Sequence, residues 1–177
     1  MEKSRKITLL DFAFKKEPAF TPRTPYYWMS EDELRSIAKY YLLLDADCAF
    51  HFTVRIGKKE YTFNGVIPKA FVYNMADIPF VLQYISYDKH SPFVKNASCI
   101  HDYLISRKRI LYEDWEMKAK GITPLEFKKI TSEIFGYVLR YNAVPYNKAI
   151  AMATMVDLWQ YFMPSWYSLA TEEFEIK

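Results

Sequence analysis

A chain of 177 residues, 51% hydrophobic and 25% charged, has the length and balance of one core-forming domain with an extension, not of a disordered tract. Only 4 residues are glycine, and Gly57, Gly65, Gly121 and Gly136 never cluster, which excludes the glycine-rich phosphate loops of P-loop and dinucleotide-binding folds. A formal net charge of +3 and a pI of 8.7 are too mild for a concentrated nucleic-acid-binding face.

Residues 1–29 read as an extended, irregular arm. Pro18, Pro22 and Pro25 interrupt it and remove backbone donors, and no helical or strand period runs through it. Its aromatics, Phe12, Phe14, Phe20, Tyr26, Tyr27 and Trp28, must lie against their own domain or a neighbouring subunit, and they form the candidate interaction surface. A single domain is expected over 30–167, followed by an acidic tail over 168–177.

Ser30-Glu31-Asp32-Glu33 matches a capping box and predicts a helix over about 31–41. The period then switches to two. Ala49–Ile56 and Glu60–Ile67 alternate and are rich in β-branched and aromatic residues, with Gly57-Lys58-Lys59 as the hairpin loop.

Helical signals fill the second half. Ser91-Pro92 opens a helix to about Ile105, and a helical period over 110–120 stops at Gly121. Thr123-Pro124 opens a third helix to about Asn142, and Pro145 a fourth to Met163, which Pro164 ends. The basic run Arg107-Lys108-Arg109, with Glu113, Asp114 and Glu116 close behind, reads as a solvated helix end or loop. Strands before helices predict an α+β domain: a small antiparallel sheet or hairpin packed on three to four helices, with the aromatic arm outside.

Cys48 and Cys99 supply neither a disulfide framework nor a zinc spacing, which favours a reducing compartment. The N-terminus lacks the apolar segment of a signal peptide, and the longest apolar stretch, Ala149–Met163, is too short to span a bilayer. Secretion through a signal peptide is not expected. No cofactor, metal or specific nucleic acid is expected.

Of the three histidines, His101 stands out because Asp102 follows it within Cys99-Ile100-His101-Asp102-Tyr103-Leu104. Neighbours on a helix project about 100° apart, so the pair is expected to serve two partners, or a shared metal reached from one helix edge, instead of facing each other. A metal-dependent phosphohydrolase of the His-Asp type would need His90, His101-Asp102 and Asp157 together, but His90 sits in a turn too close to His101. A phospholipase-like site would need a glycine-rich calcium loop that four glycines cannot build.

Ile67-Pro68-Lys69-Ala70-Phe71, then Tyr73-Asn74-Met75-Ala76-Asp77-Ile78-Pro79, then His101-Asp102-Tyr103-Leu104 follow one another in a layout that resembles a family of unknown function spread through bacteriophages and prophages. That family carries Val-Pro-x-Gly-Phe, Thr-Asp-x-Ala-Ser-x-Pro and a helical His-Asp-x-Leu-Tyr. The resemblance covers about 60–165. Ala70 stands at the family's glycine, Asn74 at its aspartate, Asp77 at its serine and Ile105 at its tyrosine; in the downstream helix Ser132 replaces an aspartate, with Glu133 beside it.

Asn74 can neither take up a proton nor give a metal a charged ligand, and Ser132 is a poor substitute for a carboxylate. The resemblance therefore implies a chain that has kept the fold with its acidic positions eroded. His101 would survive as a buried hydrogen-bond hub.

The leading expectation is a phage-encoded interaction protein, a virion component such as a head–tail connector, ring or tail part, assembled with other protein subunits. One alternative is a hydrolase acting on the cell envelope or a phosphoester through His101 and Asp102, aided by Asp77 or Glu133. Another is a phage inhibitor that binds a host defence enzyme.

Overall fold

A computed structural model describes residues 6–22, 42–69, 71–73, 92–106 and 120–162. These form six strands, β1 (Ile7–Phe14), β2 (Phe20–Pro22), β3 (Leu42–Leu44), β4 (Cys48–Ile56), β5 (Lys59–Ile67) and β6 (Val72–Tyr73). Three helices follow, α1 (Pro92–Ser106), α2 (Pro124–Tyr141) and α3 (Tyr146–Phe162). The arrangement is α+β: a three-stranded antiparallel sheet ordered β1-β4-β5, a minor sheet ordered β2-β3-β6, and helices in the second half.

The β4–β5 hairpin follows the alternation of its residues. Cys48, Phe50, Phe52, Val54 and Ile56 are buried on one face, while His51, Thr53 and Arg55 lie on the other. Gly57 takes φ +63° in the turn, a conformation that glycine adopts without cost. Cross-strand partners tie the outer face: Thr53 and Thr62 hydroxyls are 2.9 Å apart, and Arg55 Nη2 meets Glu60 Oε1 at 2.7 Å. Gly65 lies under the Phe50 ring, where an added Cβ would come within 2.4 Å of Cζ. No larger residue fits there without moving the ring.

The proline-rich arm is corrected by β1. Residues 7–14 are not irregular: they pair antiparallel with β4 along its whole length, from Ile7 opposite Ile56 to Phe14 opposite Phe50. The register shifts between Leu9 and Asp11. This bulge inserts one extra residue, so Ile7 and Leu9 face inward before it and Phe12 and Phe14 after it. The insertion breaks the two-residue period by which a strand is recognised.

Phe12 is buried, and Phe14 and Phe20 are half-buried against the core; Phe12 also packs edge-to-face on Phe14 at 4.9 Å. These three aromatics therefore cover the molecule's own core and do not form a free interaction surface. Tyr26, Tyr27 and Trp28, the helices expected over 31–41 and, but for Lys120 in a turn, over 110–120, and the acidic tail lie outside the described residues.

The helices begin and end where their caps place them. Thr123 and Glu126 exchange side-chain-to-backbone bonds in a capping box, with Pro124 following the cap. At the other end of α2, Ala143 takes φ +63°, its N–H bonds to Arg140 O, and Val144 N–H bonds to Leu139 O. This is a Schellman motif with alanine in the left-handed position usually held by glycine. Val144 and Leu139 are both buried beneath it.

α2 is the central helix. Phe127, Ile130, Ile134, Phe135, Val138 and Leu139 are buried along it, and it packs on α1, on α3 and on β1. Gly136 allows the close approach of α3: an added Cβ would stand 2.8 Å from Ala153 Cβ. α1 lies on the core face of the main sheet, where the Tyr103 ring meets Phe50 edge-on at 6.0 Å and its hydroxyl donates to Val66 O at 2.8 Å.

Candidate functional site

His101 stands on α1 beside α2, its ring edge-on to Phe135 at 5.6 Å and its side chain only 12% exposed. The pair does face itself: His101 Nδ1 is 3.3 Å from Asp102 Oδ1. The expectation from the 100° offset fails because the rotatable side chains bend toward each other across the gap between adjacent Cβ atoms. A neighbouring carboxylate orients the ring. Buried Ser98, one turn before Asp102, has a hydroxyl with no hydrogen-bond partner among the described residues.

Glu133 does not join this pair. It projects from α2 about 200° around from Phe135, the residue His101 touches, and its Oε2 accepts the backbone N–H of Leu9 at 3.1 Å. Its work is structural. Asp77 lies outside the described residues. Ser132 is buried and bonds to Lys128 O at 3.2 Å and to Asp157 Oδ1 on α3 at 3.4 Å, a link between helices.

A second polar cluster joins β1, β4 and α2. Asp11 Oδ2 lies 3.4 Å from His51 Nε2, and the Tyr137 hydroxyl donates to Asp11 Oδ1 at 3.3 Å. Burial, then the Asp11 charge and its hydrogen bond, raise the Tyr137 pKa, while Arg140 opposes them. Glu133 and Tyr137 are one turn apart on α2, so a single helix face reaches both β1 groups. The alternation of β4 places His51 on the outer face, but Asp11 sits in the segment read as an arm, so no sequence pattern paired them.

Among the described residues no group of three or more His, Cys, Asp or Glu side chains could hold a metal ion. Nor is any described helix long and apolar enough to cross a membrane.

Most of the large exposed apolar groups among the described residues lie on the helices, with Leu125 near the start of α2 62% exposed. Tyr141 at the end of α2 is 73% exposed, and Tyr146, Ile150 and Leu158 follow at four- and eight-residue intervals along the outside of α3. The Arg140 guanidinium lies over the Tyr146 ring, 5.0 Å from its centroid. Ala149 and Met152 are buried on the opposite side, so α3 carries apolar residues around its circumference. Comparison with protein families, with curated proteins and with solved structures finds no match to this chain.

Proposed function

We propose that the chain is a protein-interaction protein, a structural component of a phage virion of connector, ring or tail type. The observation that supports the interaction role is α3. A helix with apolar side chains on every side is normally covered on every side, yet Tyr146, Ile150 and Leu158 stand open along it. Aromatic and aliphatic groups flanked by Arg140 suit a protein partner. The virion placement rests on the resemblance of residues 60–165 to the phage family.

A hydrolase would need His101, Asp102 and a further acid on one solvent-reachable surface. The confinement of His101 against Phe135 and the engagement of Glu133 with β1 favour the interaction reading over it. Mass spectrometry of washed virions from a lysogen or phage stock encoding this chain tests the proposal. Recovery at stoichiometric copy number supports it. Absence from particles, with co-purification of a host enzyme instead, identifies an inhibitor and overturns it.

A further inference from the structure

Cys48 and Cys99 are 51 positions apart in sequence, both free and both buried. Three contacts bring together the elements that carry them. On α1, Asn96, Cys99 and Tyr103 fall on one stripe, at intervals of three and four residues. Asn96 Nδ2 donates to Glu17 Oε2 at 2.7 Å, just beyond the end of β1. Tyr103 donates to Val66 O on β5. Between these two strands lies β4, whose Cys48 is paired with Ile67 on one side, and whose thiol reaches Lys16 O at 3.5 Å on the other.

The lengths agree. Asn96 to Tyr103 covers about 10.5 Å of helix, and two strand spacings cover about 9.6 Å. α1 therefore crosses the end of the sheet from β1 to β5 with Cys99 midway, over the central strand at Cys48. The electrostatics fit this placement, since Cys48 is among the charges that raise the Cys99 thiol pKa, after burial and Asp102.

We propose that Cys48 and Cys99 form a redox-sensitive staple, an intramolecular disulfide that joins β4 to α1 when the chain meets a thiol oxidant. The step is a two-electron oxidation. Each thiol loses its hydrogen, one S–S bond forms, and glutathione disulfide takes up both electrons and both protons to become two glutathione thiols. Burial of the thiols makes the closed fold slow to react, so the bond forms as the chain folds or opens locally.

The natural chain, reduced and unfolded, is refolded at pH 8.5 across a series of glutathione redox buffers, then alkylated under denaturing conditions. The expected product is a monomer lacking two hydrogens by intact mass, with a Cys48–Cys99 cross-linked peptide. Its Tm is higher than that of the reduced form by roughly 5–15 °C, and dithiothreitol abolishes the difference. Two alkylatable thiols at the most oxidising ratio, or only glutathione adducts and interchain links, overturn the proposal. The peptide map needs no variant, so the result does not depend on whether a cysteine substitution folds.

Discussion

Glu133 on α2 accepts the backbone N–H of Leu9 on β1 at 3.1 Å, across 124 positions of sequence. Among the described residues β1 is an edge strand, with no further strand to pair its outward N–H groups. Four residues further along α2, Tyr137 binds Asp11 just past the bulge. The helix thus closes the edge at the place where the ladder is irregular.

Removing that acceptor leaves the Leu9 N–H half-buried without its partner. Glu133→Ala should cost about 1–2 kcal/mol in urea unfolding, and Glu133→Gln, which keeps a carbonyl oxygen in place, should recover most of it. Equal stability of both variants and the parent chain would show that the contact contributes nothing.

Close packing between α2 and α3 rests on Gly136. Gly136→Ala should destabilise by about 1–3 kcal/mol, because the new methyl meets Ala153 Cβ at 2.8 Å and the helices must part. The double change Gly136→Ala with Ala153→Gly returns the methyl to the interface from the other side. A double-mutant cycle should therefore show recovery of a substantial part of the loss.

Ala143 bears a strain that one substitution relieves. Its φ of +63° is unfavourable for an L-residue with a Cβ, by about 1–2 kcal/mol, and the position is exposed. Glycine removes that penalty but widens the unfolded ensemble by about 0.4–1 kcal/mol. Ala143→Gly should therefore raise stability by about 0.5–1 kcal/mol, read as a higher urea midpoint with an unchanged slope.

Alkaline pH should destabilise the fold through Cys48. Burial, and secondarily the Glu17 carboxylate, push its thiol from an ordinary 9.0 up to about 11. Above pH 9 the unfolded chain releases this proton while the folded chain holds it, so fewer protons are bound in the unfolded state and stability falls as pH rises. The contribution is fully present below pH 9 and is lost as pH rises through about 11. Under reducing conditions the Tm of the natural chain should drop more steeply from pH 8.5 to 11 than that of Cys48→Ala.

Local chemistry made the hairpin and the three described helices legible. Alternation in Ala49–Ile56 and Glu60–Ile67 specifies which face is buried, and Thr123-Pro124 and Pro145 mark helix starts within a residue or so of those observed. Each of these signals acts over a few residues, so the amino-acid order alone determined this hairpin, these helices and their order. β1 escaped because a bulge puts its inward residues out of phase and three prolines follow it closely.

Partners were decided only by the tertiary structure. Glu133 has the spacing of a candidate acid until the fold brings the open edge of β1 to it. Asp11, His51 and Tyr137 come from three elements whose separations carry no periodic signal. Cys48 and Cys99 become neighbours only when α1 crosses the sheet. A carboxylate or thiol takes its role from the groups within hydrogen-bonding or bonding reach, and that distance is set by long-range packing, not by position along the chain.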